Sequence, residues 1–456
     1  MKRFFALSLF LVLLLTGCER NTVPAYVPVE APTSLEQQET EPAPSSQEDP
    51  AYRYVSEPEE FNIYDTEGRM LRLSRWSDLG NEGAYYMGNL LTRYDENLDK
   101  QQVCCTKEHC PHADDNCNAW IGNNGNGARL AVAGNLAYII NGPTNEYGYL
   151  TELRFFSLDL TTGERRMYHE VAAQEGMEIR LCDAVIYGST AVLNYDLIGE
   201  AVYGDTPQDK EHSILSVDLA SGEKTTVMKR KLAAEEIYDL WGMNESHIIL
   251  AFHHRGGAYS SFGESSMGNY SQYAQYLHRW VLLEYPIEEN AVWSKQIAAS
   301  GDAVSSVYSS STGVYLSAGA DSEALSLYNY SNFYGGKLYY VIGANVMTYD
   351  LQTHKSSLLF VQPGITYLSC LDGRVFYQTD GMEYFWYEPE TRITCQYQKG
   401  QTREVFLFSG ETNDYFYGYY NVNSLEYSVW GKDFCRISKL DFYEENYQAA
   451  VPFPLY

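Results

Sequence analysis

A recurring unit constrains this chain more than any single motif does. One strand-like run, often after glycine, leads into a second run that ends in an apolar residue and aspartate; a polar turn and a further run follow. The segments "GKLYYVIGANVMTYDLQTHKSSLLF" (336–360) and "GNLAYIINGPTNEYGYLTELRFFSLDLTTGERRMY" (134–168) show it best. The same close returns in "SILSVDLASGEKTTVM" (213–228), "LLTRYDENLDKQQVC" (90–104) and "RISKLDFYEE" (436–445), with weaker copies at 281–293 and 374–397. Turn chemistry accounts for the pattern. Asp159 and Asp218 can accept from the backbone two residues on, and Gly163 and Gly222 tolerate positive φ, so each closes a short hairpin.

The turns fall at Asp95, Asp159, Asp218, Tyr285, Asp350, Glu388 and Asp441, spaced 38 to 67 residues apart. Four short strands per unit at that spacing predict an all-β fold, a β-propeller. A four-stranded blade has two apolar faces and cannot shield both alone, so blades stack about an axis and close. Seven blades are predicted, with six and eight as alternatives and a β-sandwich as the competing architecture. An eighth copy, "NIYDTEGRMLRLS" (62–74), reads as another blade or as a strand completing the last one. The 41 tyrosines, set among β-branched residues and turn formers without helical periodicity, agree with an all-β chain.

The N-terminus has a different logic. Lys2 and Arg3 precede an apolar run from Phe4 to Leu15, shorter than the ~18 to 20 residues that span a bilayer, so 1–17 reads as a signal peptide. From Cys18 to about residue 55 the chain is rich in proline and acid and poor in apolar residues, the composition of a disordered tether. The propeller is expected over 56–456. The formal net charge of −28 makes nucleic acid and anionic lipid surfaces unfavourable partners.

The block "CCTKEHCPHADDNC" (104–117) is the densest chemical signal. Cys105, Cys110, His112 and Cys117 spell C-x4-C-x-H-x4-C, three sulfurs and an imidazole, a set suited to one structural tetrahedral zinc. Zinc knuckles share the donor order and the last spacing but not the first two. The competing reading is disulfides that include Cys104, because thiols outside the cytoplasm tend to oxidise and eight cysteines remain besides Cys18. Both readings make the block a clamp. A site with four protein ligands has no open position for substrate, so no catalytic residue is assigned there. Cys182, Cys370, Cys395 and Cys435 sit singly in strand-like runs and read as small buried hydrophobes.

No other catalytic motif is present. There is no G-x-S-x-G, no phosphate-binding glycine loop and no HExxH. His253-His254-Arg255 precede a long Gly/Ser/Tyr loop (256–276) and read as a solvated strand end; pairs such as Glu288-Glu289 and Asp114-Asp115 are uninformative in so acidic a chain. Aromatic residues beside Asn, Ser and Gly at 256–276, 326–336 and 413–430 suit a binding face, although inter-blade packing is the commoner use of tyrosine.

Two parts of the chain carry a resemblance. Leu15-Thr16-Gly17-Cys18 resembles the lipobox of bacterial lipoproteins, which implies cleavage before Cys18 and its diacylation. The order of lipobox, acidic tether, first hairpin "YYMGNLLTRYD" and a Cys…Cys-x-His…Cys block followed by "NAW" is similar to that of a group of uncharacterised lipoproteins from Gram-positive anaerobes with TolB-like or lipoprotein-receptor-like propellers. The expectation is therefore a monomer held outside the cytoplasm on the bacterial cell membrane by its lipid. It would bind a protein, peptide or glycan on one loop face. A propeller hydrolase or lyase acting on polysaccharide is the alternative. A transporter substrate-binding lipoprotein fits less well, because that class needs two α/β lobes. The ligand-binding residues are not legible.

Overall fold

The computed structural model describes residues 52–452 apart from 56–67, 75–76, 81–82, 96–99, 123–126, 200–209, 234–235, 256–277, 292–294, 300–305, 311–312, 318–324, 327–331, 382, 398–406 and 420–433. The signal peptide, Cys18 and the tether up to residue 51 lie outside the described residues, as does the loop at 256–276.

The chain forms a seven-bladed β-propeller with almost no helix. Blade one comprises Ser77–Gly80, Gly83–Met87, Leu91–Asp95 and Lys100–Val103, paired in that order. Blade two runs from Arg129–Ala133 to Arg165–Ala172, blade three from Met177–Tyr187 to Lys224–Leu232 and blade four from Glu236–Met243 to Lys295–Ala299. A separate hairpin, Ser306–Ser310 with Gly313–Ser317, precedes blade five, whose strands end at Lys355–Val361. Blade six spans Ile365–Leu371 to Ile393–Tyr397, and blade seven Leu407–Glu411 to Val451–Pro452.

Ring closure is visible in the cores. Met87 and Leu91 of blade one pack on Leu130 and Phe156 of blade two. Phe155 and Tyr138 pack on Ile179 and Leu193, and Val185 and Ile214 on Leu240 and Leu250. Trp241 and Ile249 meet Leu338 and Tyr349, Val341 and Val346 meet Leu368 and Val375, and Phe376 meets Phe416 and Phe442. The seventh seam brings Tyr417 of blade seven against Ala84, Tyr86 and Tyr94 of blade one. Each blade thus buries both faces against its neighbours, the requirement that a lone sheet cannot meet. Many tyrosines serve this purpose; Tyr85, Tyr168, Tyr340, Tyr349 and Tyr417 are almost wholly buried.

Six of the seven predicted turns, from Asp95 to Glu388, lie at the junction of a third and a fourth strand. The Asp159, Asp218 and Asp350 carboxylates each accept from the two backbone N–H groups two and three residues on. The seventh differs: Asp441 lies in a short helix, Lys439–Tyr443, capped by Ser438 and inserted before the last strand. Its sequence close mimics the hairpin, but Phe442 is drawn into the core between blades six and seven and winds the turn into helix.

The "NIYDTEGRMLRLS" segment is neither an eighth blade nor a strand of the last one. Residues 62–67 lie outside the description, but Gly68–Ser74 bonds to the first strands of several blades. The Gly68 carbonyl accepts from Gly335 N (2.9 Å), Leu71 and Arg72 pair with Ile186 and Val185, and Ser74 exchanges two 2.8 Å bonds with Leu130. First strands also approach one another between neighbouring blades, which marks them as the inner strands, so this segment runs along the axial edge of the ring. Arg53–Tyr54, by contrast, adds in parallel to the outer strand of blade two. Among the described residues, no helix is long and apolar enough to cross a membrane.

Candidate metal centre

The Cys/His block follows the outer strand of blade one and is held by blade two. Thr106 Oγ1 donates to Thr162 O (3.2 Å), and Asn118 bonds Thr106 through both its Oδ1 and Nδ2. The buried Arg165 guanidinium donates to the carbonyls of Cys117 (3.0 Å), Asn118 (3.2 Å) and Trp120. Gly163 is required here: its φ is +77°, and a Cβ would land 1.6 Å from Asn118 Nδ2.

The fold brings Cys105, Cys110, His112 and Cys117 together, with one donor atom from each inside a 4.8 Å circle. His112 Nδ1 lies 3.3 Å from Cys117 Sγ. Tetrahedral zinc spaces N and S donors about 3.5 to 3.8 Å apart, so only small shifts separate this arrangement from coordination. The backbone supports thiolate charge. Against its own desolvation, Cys105 is drawn below the ordinary thiol value by the Lys107 and Asn118 N–H groups and by the neighbouring thiols. Cys117, more confined, is pushed up to about 12 by burial, then by the other two sulfurs. Three sulfurs and an imidazole so close together are a donor set for a soft or borderline metal. His109 and His112 both adopt positive φ, 56° and 55°. Of the two, only His112 turns into the cluster. Cys104 stands apart: it packs against the core between blades one and two, and burial pushes its thiol up to about 12. All eight described cysteines are free thiols.

The single cysteines divide. Cys370 and Cys435 are buried in inter-blade cores as expected, and Cys395 is half-buried. Cys182 departs from the expectation. It is exposed at a β-bulge of the inner strand of blade three, with Sγ 3.4 Å from Asp196 Oδ2. That carboxylate also binds Lys210 Nζ at 2.8 Å and His212 Nδ1 at 2.7 Å. Despite its burial, these partners hold Asp196 below the usual carboxylate range. Desolvation likewise holds His212 below its ordinary value, even beside Asp196.

At the axial edge, the arginines of the threading segment engage the inner strands. Arg72 pairs with Asp183 and donates to Leu240 O (2.5 Å), while Arg69 donates to Glu411 O (2.8 Å) and Asn413 Oδ1. Burial raises the Asp183 carboxyl above its usual value, and Arg72 opposes that rise.

A second donor group, His247, Glu284 and His354, is invisible as a motif because it is assembled from two blades. One clue was present in the sequence: His354 takes the place in Asp-x-x-x-His that Gly163 and Gly222 take in sister turns. The His253-His254-Arg255 side chains, by contrast, lie outside the described residues.

No family model matches the chain, and no curated protein matches it. Among solved structures it is similar to an oligogalacturonate lyase in complex with manganese, at 12% identity and TM-score 0.38 over 81% of this chain and 87% of that one. It is also similar to BamB from Moraxella catarrhalis (11%, TM-score 0.29, 78% and 85%) and to TolB from Acinetobacter baumannii (12%, TM-score 0.27, 72% and 63%). Identities and TM-scores this low carry neither fold nor chemistry to this chain.

Proposed function

We propose that the protein is a non-enzymatic binding propeller held outside the cytoplasm by a lipid on Cys18, with a structural zinc in the Cys105, Cys110, His112 and Cys117 block. Its ligand would be a protein, peptide or glycan taken on a loop face. One observation carries the reading: the axial edge of the ring is bound by the chain's own Gly68–Ser74 segment. Asp183 is already paired with Arg72, and Arg69 spans to blade seven. A carboxylate oxygen already engaged by a guanidinium is not placed to reach a proton on a bound ligand. The Leu-Thr-Gly-Cys site and the acidic tether supply the lipid-anchor half of the reading.

The experiment expresses the full chain beside Cys18→Ala in a bacterial host, fractionates both, and incubates purified protein with acidic and neutral polysaccharides. Partition of only the parent chain with membranes, and saturable glycan or protein binding without new chain ends, is expected. Enzyme-dependent appearance of unsaturated or reducing ends would replace the binding reading with the lyase or hydrolase one. Equal solubility of the two chains would remove the anchor.

A further inference from the structure

The seam between blades four and five holds a group of side chains that packing alone does not explain. Glu284, on the third strand of blade four, is 1% exposed. Its Oε2 accepts from the Tyr349 hydroxyl of blade five. Its Oε1 is 2.5 Å from His354 Nδ1, in the blade-five turn, and 3.7 Å from His247 Nε2, at the start of the second strand of blade four. The two imidazoles meet edge to face, with centroids 4.8 Å apart.

Ser246 Oγ lies 2.9 Å from His247 Nδ1 and 3.2 Å from Asn244 Oδ1, so it can accept from the ring while donating to the amide. In the tautomer protonated at Nδ1, Nε2 turns a lone pair toward the Glu284 carboxylate across 3.7 Å, a gap suited to a cation. Two donors on a tetrahedral zinc stand about 3.3 Å apart, so His247 would close in slightly and His354, 2.5 Å from the same oxygen, would draw back. The surrounding contacts match those found around metal ligands. Ser246 holds the distal nitrogen of one imidazole, and Tyr349 orients the carboxylate. Lys295 Nζ donates to the His354 carbonyl and fixes its turn.

The backbone points the same way. His354 has φ +55°, at the position where the corresponding turns of blades two and three use Gly163 and Gly222. Arg392 fills the same place in blade six, so glycine is not obligatory there. Among the described turns, only His354 uses the strained position to reach a buried carboxylate of the neighbouring blade.

From this geometry we infer that His247 Nε2, Glu284 Oε1 and His354 Nδ1 form a second binding site, for a divalent cation of the zinc class. Two imidazoles and one carboxylate suit zinc and its first-row neighbours better than calcium or magnesium. Binding displaces the proton shared by His354 and Glu284 and leaves one coordination position to water, on the side where the His354 side chain is 45% exposed. The ion bridges blade four and blade five. This inference is independent of the proposed function.

The test is a zinc count by elemental analysis on the full mature chain, together with cobalt substitution, for the parent, His247→Ala, His354→Ala and Glu284→Gln. The parent is expected to hold one equivalent more than each variant, and the variants to bind at that site at least ~100-fold more weakly. The cobalt absorption lost in the variants should lack thiolate charge transfer, which separates this site from the cysteine block. His354 is partly exposed and its turn accepts glycine, so His354→Gly serves as a second variant in which the fold is retained. Zinc counts and cobalt spectra identical across the parent and the folded variants would overturn the site.

Discussion

The cysteine block and the His247–Glu284–His354 group both join neighbouring blades, yet they depend on the fold in opposite ways. The block is a run of exposed polar residues, from Thr106 to Asn116, with little apolar surface to order it. Its own donors and Arg165 supply most of what holds it. The histidine group rests on strands and a turn already ordered by Ile249, Leu338 and their neighbours. A cation would therefore organise the first region and be a late addition to the second.

The largest expected effect separates the two. Chelation, or Cys110→Ser, should remove about 3 to 4 kcal/mol of zinc-linked stability. Loss of amide protection should be confined to residues 104–122 and the blade one–two seam. Thermal melts with and without chelator, and hydrogen exchange resolved by segment, check this. Equal loss of protection at the blade four–five seam would mean that the two regions do not differ as argued.

Legibility follows the same division. The donors of the block are contiguous, so residue type and spacing alone exposed Cys105, Cys110, His112 and Cys117. Blade number was legible because a strand close ending in an apolar residue and, in most copies, Asp recurs, and Asp159, Asp218 and Asp350 make the same bonds. What failed to show was anything set by register across blades. Glu284 looked like any other acid in a chain with 60 of them. Its neighbours are selected by strand pairing and by the seam with Tyr349. The path of Gly68–Ser74 was hidden for the same reason: a short Arg-Met-Leu-Arg-Leu run reads as an ordinary strand, and only the ring supplies an inner edge to pair with.

A histidine without a carboxylate sharpens the contrast. His169, at a bulge in the outer strand of blade two, has both ring nitrogens buried and unpartnered among the described residues. Burial, aided by Lys224, pushes it down to about 3. The unfolded chain takes up this proton below its ordinary value near 6.5, while the folded chain takes it up only near 3. Stability is thus intact above about pH 6.5 and falls as pH drops from there toward 3, by roughly 4 to 5 kcal/mol. His169→Phe should flatten that limb in denaturant titrations run at several pH values. An unchanged acid limb would show that the ring is solvated.

A smaller effect is expected at Arg165. Replacing it with Met removes donors from three carbonyls of the block while keeping most of the packing, and should cost about 2 kcal/mol. Zinc should leave the block faster, whereas zinc at the blade four–five seam should be unaffected. Competition with a chromophoric chelator reads both rates in one sample, and a matched acceleration at the two sites would contradict the assignment of Arg165 to the block alone.

The smallest effect is the most discriminating. His354 holds a left-handed backbone conformation that glycine adopts without strain, as Gly163 and Gly222 do in the sister turns. In metal-free protein, His354→Gly gives up one bond to the buried Glu284 carboxylate, which keeps its bond from Tyr349, and relieves the backbone. The two should nearly cancel, leaving a change within about 1 kcal/mol in either direction. With zinc present, the parent should gain stability in proportion to the logarithm of the free ion concentration, and the variant should gain only what the cysteine block provides. Melting curves across a zinc series therefore start together and diverge. Curves that stay parallel would make His354 an ordinary partner of Glu284, and the strain at its turn would then have no ligand to account for it.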